Sequence, residues 1–182
     1  MTMKRYILPI IAMAFLAATA EAKTVTLRVD AQAAPWRTGS NPKLAFGLAD
    51  ARSPALLVDT ALLPGITLHV TATGLTTTVT GGGSYGPEGQ SDWIADRGMA
   101  LFPSYYIEAK GRVAHLNELV GAFVDADGKV VGKPFLIGSA ANVPVPDGAA
   151  GLSLGINDDR YSDNSGSLTV TIVIPEAKVI VE

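Results

Sequence analysis

Apolar residues in this chain recur at every second position in short runs, and that period decides what the chain can build. Residues 24–30 put Val25, Leu27 and Val29 on one face and Thr24, Thr26, Arg28 and Asp30 on the other. The same alternation runs through 66–72, 152–156 and 168–172. A period of two is that of a strand with one face buried. Residues 119–124, then Asp125-Ala126-Asp127-Gly128-Lys129 and Val130-Val131, read as a hairpin closed by a Gly-containing turn. No window of helical length carries a 3.6-residue apolar stripe with caps. Short strands punctuated by Gly and Pro turns predict an all-β fold, a single β-sandwich of jelly-roll type. The span 31–63, interrupted by Pro35, Pro42 and Pro54, is expected to hold edge strands and loops. Residues 179–181 either extend the last strand or lie loose.

Residues 1–22 stand apart from this pattern. Lys4 and Arg5 precede an apolar run from Tyr6 to Ala20, which ends in Ala20-Glu21-Ala22. Basic, apolar and small-residue segments in that order read as a secretory signal peptide. The alternative is a membrane anchor, but 15 helical residues rise only about 22 Å, short of a hydrocarbon core of about 30 Å. The expectation is an exported protein, periplasmic or secreted, whose working domain is residues 23–182 with no membrane span.

Charge and inventory then remove whole classes of function. Fourteen Lys and Arg against 17 Asp and Glu, with no basic patch or stripe, leave no surface suited to the phosphate backbone of nucleic acid, which is therefore not an expected partner. The absence of Cys excludes disulfides, thiol chemistry and thiolate metal sites. His69 and His115 lie in no nucleophile or metal-ligand motif. His69 shares the polar face of its strand with Thr67 and Thr71. With no G-x-S-x-G, H-E-x-x-H or Walker loop, the chain reads as a non-enzyme, with a carboxylate-pair glycosidase as the minor branch.

The residues that carry chemistry are concentrated in 157–164. This loop joins two alternating strands and holds Asp158, Asp159 and Asp163 with the amides of Asn157 and Asn164. Clustered carboxylates repel and raise one another's pKa unless something positive is present. Ca²⁺ takes six to eight oxygen ligands from carboxylates, amides and main chain, which such a loop can offer; Asn, Asp, Ser and Gly also make an ordinary solvated turn. The Asp125–Lys129 turn has a similar look, but twelve positions counted from Asp125 end on Leu136, so it lacks the late Glu of an EF-hand and reads as a hairpin turn.

Asn157-Asp158, Asp163-Asn164-Ser165-Gly166-Ser167 and Ser84-Tyr85-Gly86-Pro87 together resemble the PA-IL-like bacterial lectins, calcium-dependent galactose binders with a small galactose-binding-like β-sandwich. Pro64-Gly65-Ile66 with Ala72-Thr73-Gly74 looks like the strand before that turn, and Trp36-Arg37-Thr38-Gly39 like the N-terminal strand. The resemblance implies Ca²⁺ held by the carboxylates of Asp158 and Asp163, the Asn164 side-chain oxygen, the Tyr85 carbonyl and a loop carbonyl at Arg160 or Tyr161. Two sugar hydroxyls would complete the shell. Tyr85, Ile94, Arg97, Asp158, Asp163 and Asn164 are the implied carbohydrate contacts, Ile94 standing where the galactose binders have His and Arg97 where they have Gln. An exposed Trp93 could stack on a pyranose, although packing is the ordinary role of such a residue. The expected function is non-catalytic, calcium-dependent carbohydrate binding, with a homo-oligomer as a possible assembly. The alternative is a calcium-stabilised structural or protein-interaction module of the cell envelope that binds no sugar.

Overall fold

The computed structural model describes residues 22–59, 61–94, 101–108 and 113–176, with the side chains of 92–94 left aside. The alternating segments form the strands they predict. They are β1 (Lys23–Asp30), β3 (Thr67–Thr77), β10 (Gly151–Ile156) and β11 (Ser165–Ile174). The remaining strands are β2 (Ala55–Val58), β4 (Ser84–Tyr85), β5 (Gln90–Ile94), β6 (His115–Leu116), β7 (Leu119–Val124), β8 (Val130–Leu136) and β9 (Ala140–Pro144). Two antiparallel sheets carry the fold. One is ordered β1-β11-β3-β4, with β9 also paired to β3; the other is β2-β10-β7-β8. A small β5-β6 ladder sits apart.

The alternation decides which side of each strand is buried. Leu68, Val70 and Ala72 of β3 point inward with Leu168, Val170 and Ile172 of β11, while Thr67 and His69 face solvent. Leu152, Leu154 and Ile156 of β10 meet them from the facing sheet, and all belong to one apolar core. Burial of each such side chain stabilises the fold by roughly 1.5–3 kcal/mol. Strands β7 and β10 are buried on both faces. The second face of β10 is covered by the segment that follows β1: Ile156 N–H donates to Ala33 O at 2.9 Å, and a Cβ on Gly155 would collide with the backbone of Ala34 and Pro35. Only glycine lets that segment approach so closely.

The span 31–63 contains an edge strand, a 3₁₀ turn (Pro42–Leu44) and loops, as expected, yet it is well packed. Trp36 is fully buried, stands edge-on to Phe46 at 5.1 Å and donates from Nε1 to Leu44 O at 2.9 Å. Residues 36–39 are therefore bend and turn, which corrects the reading of them as part of an N-terminal strand. The hairpin forms as predicted. Asp125 Oδ1 accepts the amides of Asp127 (2.9 Å) and Lys129 (2.8 Å), and Gly128 takes a φ of 76°. Residues 1–21, which hold most of the predicted leader, and residues 179–181 lie outside the described residues. No helix among the described residues is long and apolar enough to cross a membrane.

Candidate metal and sugar site

The ends of β1, β3 and β10 and the starts of β7 and β11 gather at one end of the sandwich, and residues 157–164 close it. Asn157 is the hinge of this loop. Fully buried, it accepts from Ser104 N–H at 2.9 Å and donates from Nδ2 to His115 O at 2.8 Å. Its main chain is bonded to Asn117 and Glu118. Every polar group of Asn157 is committed, so its role is structural.

Asp158 follows, with only 3% of its surface exposed. Its Oδ1 accepts the amides of Asp159 at 2.7 Å and Arg160 at 3.3 Å, and its Oδ2 accepts Asn164 Nδ2 at 2.9 Å. Burial pushes the Asp158 carboxyl up to about 7, against the hydrogen bonds from Asn164, Arg160 and Asp159, which pull it down. Asn164, also buried, donates from the same nitrogen to Ala31 O at 3.1 Å. Its Oδ1 is buried with no hydrogen-bond partner among the described residues, and so is Oδ1 of the half-buried Asp163. Buried acceptors without donors are rare, because each forfeits its hydration, at a cost of roughly 1–3 kcal/mol.

Two groups from outside the loop fix its shape. The Asp50 carboxylate accepts Tyr161 N–H at 3.1 Å and Ser162 N–H at 3.0 Å. Burial works against the charged form of Asp50, but bonds from the Ser162 side chain and these two amides outweigh it and hold the carboxyl below its ordinary value. Gln32 Nε2 donates to the carbonyls of Ser162 (3.1 Å) and Asn164 (3.0 Å). Tyr161 turns inward, fully buried, with its hydroxyl donating to Ile156 O at 2.7 Å. Burial raises the Tyr161 hydroxyl well above its usual value, with the Asp158 charge adding to the effect. Sequence reasoning missed Asp50 and Gln32; only the long-range packing of 31–54 onto the loop brings them there.

The expected ligands are thus partly assembled. Asp158, Asp163 and Asn164 occupy one loop, and the structure joins Asp158 to Asn164 directly. Among the described residues, the Tyr161 carbonyl is taken by Asn164 N–H, whereas no hydrogen bond claims the carbonyl of Arg160. Arg160 itself points its side chain outward. Tyr85 lies on β4 opposite Thr76, which pairs in turn with Gly166 of β11. Two strand spacings therefore separate Tyr85 from Gly166, about 10 Å. The turn between β3 and β4 does reach the loop, because Thr80 Oγ1 donates to Asp163 O at 3.4 Å. Ile94 ends β5 opposite His115, and nothing further is described of its side chain or of that of Trp93. Arg97 lies outside the described residues. Among the described residues no three His, Cys, Asp or Glu side chains form a metal-sized cluster, so a cation here would depend on amide and main-chain oxygens.

The chain is similar to a solved structure described as the EclA N-terminal domain, a PllA-like lectin, at 15% sequence identity over 82% of this chain and 93% of that one, with a TM-score of 0.43. No family model matches the sequence, and no curated protein does.

Proposed function

We propose that the protein is an exported, non-catalytic carbohydrate-binding protein that engages sugar through a Ca²⁺ ion held by the 157–164 loop. The observation that carries this reading is the pair of buried oxygens on Asp163 and Asn164, without donors among the described residues, in the same loop as the buried Asp158 carboxylate. Three oxygens taken out of water in one short loop suit a hard cation. Asn164 Nδ2 lies between Ala31 O and Asp158 Oδ2. Half a turn of that amide would present Oδ1 to the same two oxygens, an arrangement that a cation between them would stabilise.

In this reading Asp158, Asp163 and Asn164 give side-chain oxygens, and Arg160 and Tyr85 give carbonyls. Bound there, Ca²⁺ would supply open positions that vicinal sugar hydroxyls fill in place of water. Asp158 and Asp163 then accept the hydroxyl protons, and Ile94 and Arg97 set which sugar fits. The resemblance of residues 157–167 and 84–87 to calcium-dependent lectins supports the same assignment.

Thermal unfolding across a Ca²⁺ titration, reversed by EGTA, tests the metal. A glycan array probed with and without EGTA tests the sugar. Saturable stabilisation with chelator-sensitive glycan binding is the expected pair of results, and a melting temperature indifferent to millimolar Ca²⁺ defeats the reading. A second reading is favoured by the loop's anchoring through Asp50 and Gln32, which needs no sugar. In it the site is a calcium-stabilised structural module, and Ca²⁺ stabilisation with a blank array identifies it.

A further inference from the structure

Behind the 157–164 loop lies a second concavity, a cleft of about 400 Å³ between the segment after β1 and the approach to β2. That volume falls within the range of small-molecule pockets. Behind it stand Trp36, Phe46 and Tyr161, with Trp36 edge-on to Phe46 and Phe46 tilted against Tyr161. The polar atoms of these rings are turned away, Trp36 Nε1 onto Leu44 O and the Tyr161 hydroxyl onto Ile156 O. Trp36 and Tyr161 are fully buried and Phe46 nearly so, so the rings back the cleft as a packed wall rather than as open surface.

The rim has the opposite character. Arg37, Arg52, Ser40 and Ser53 line it, and no Asp or Glu does. Arg52 is balanced by Asp30 at 3.4 Å, but the same carboxylate oxygen also serves Arg28 at 3.4 Å, so one negative charge answers two guanidinium groups. Arg37 forms no ion pair among the described residues; its nearest polar partner is Ser53 Oγ at 3.4 Å. A planar guanidinium with its fork free is suited to a carboxylate or phosphate, which it can hold through two parallel hydrogen bonds. The rim hydroxyls of Ser40 and Ser53, which both donate and accept, suit a ring that carries hydroxyls of its own.

We propose that this cleft is a second ligand site, which takes an oxyanion borne on a polyhydroxylated ring, with Arg37 as the anion contact. Uronic acids and sugar phosphates share that chemistry. The site shares Tyr161 with the calcium loop but none of the side-chain oxygens assigned to the ion, so it operates in EGTA, and its failure leaves the calcium reading untouched.

The test is an amide NMR titration of the ¹⁵N-labelled protein in EGTA buffer with glucuronate and with glucose 6-phosphate. Glucose and inorganic phosphate serve as single-feature controls. Saturable shifts at Thr38, Ser40 and Ser53 are expected for at least one of the two acidic sugars, and the tighter of them identifies the source. Each control should bind at least about tenfold more weakly. Arg37→Ala should weaken the acidic sugar by about tenfold or more, in line with loss of a charged hydrogen bond. Arg37→Lys should restore part of it, and because Arg37 is exposed both variants should melt like the parent. Absence of saturable shifts, glucose or phosphate binding as tightly as the acidic sugars, or indifference to Arg37→Ala would each overturn the proposal.

Discussion

Two loops in this protein are written in nearly the same alphabet and behave in opposite ways. The β7–β8 turn holds Asp125, Asp127 and Gly128, and the β10–β11 loop holds Asp158, Asp159, Asp163 and Asn164. In the turn, Asp125 sits at the surface and spends its Oδ1 on two local amides, while Asp127 lies 3.9 Å from Lys129 in the open. Asn41 braces it from outside by donating to Gly128 O and accepting from Val130 N–H. Nothing there is in want of a partner. In the loop, burial is nearly complete at Asp158 and Asn164, and donors run out before acceptors do. The lesson is that residue types alone do not set an acidic motif's chemistry: burial without enough N–H groups is what leaves its oxygens unanswered.

That contrast can be broken most forcefully by pH. Asp158 titrates near 7 when folded and near 4 when unfolded, so between those values the folded state holds a proton that the unfolded state has lost. Stability contributed by the neutral carboxyl is therefore present below about pH 4 and is lost as pH rises through 7. Without Ca²⁺, denaturant unfolding should show a fall of up to about 1.4 kcal/mol per pH unit, on the order of 4 kcal/mol across the window. Asp158→Asn should flatten this slope.

Next in size is the metal itself. At a hundredfold excess over its Kd, Ca²⁺ should stabilise the protein by about 2.7 kcal/mol, a rise in melting temperature of roughly 5–10 °C for a domain of this size. Asp158→Ala should abolish the rise, while Asp125→Ala keeps it whole. A full response retained in Asp158→Ala would put the cation somewhere else.

The sequence made the strands with one wet face easy to find, because Val70 and His69 must face opposite ways in any sheet. It concealed β2, β4, β5, β6 and β9, which are short and are held by their neighbours rather than by a pattern of their own. The oxygen-rich loop was equally plain at 157–164, yet what each oxygen does depended on packing. Asn157 looks like a ligand and is a hinge. Asp50, more than a hundred residues earlier, looks like one more surface acid in a loop and turns out to hold the amides of Tyr161 and Ser162.

Asp50 supplies the third prediction, which sharpens the comparison by asking whether the loop's shape can be loosened without touching a ligand. Asp50→Ala removes two amide contacts to a charged group and should lower stability by about 1–3 kcal/mol in denaturant melts. Calcium affinity in calorimetry should weaken without disappearing. The smallest effect belongs to the exposed turn: Asp125→Ala should cost about 1 kcal/mol in the same melts and leave calcium affinity unchanged.

The pairing of β1 with β11 joins residues 23–30 to residues 167–174, and the loop's outside anchors, Ala31 O and Gln32, lie immediately after β1. Such distant partners meet late, since closing a long loop comes before any contact rewards it. The candidate binding loop is then among the last parts of the molecule to acquire its shape during synthesis, after both ends of the sheet have met. On the calcium reading, a nascent chain would be unable to capture the ion early, and ligand affinity would double as a report that folding has reached completion.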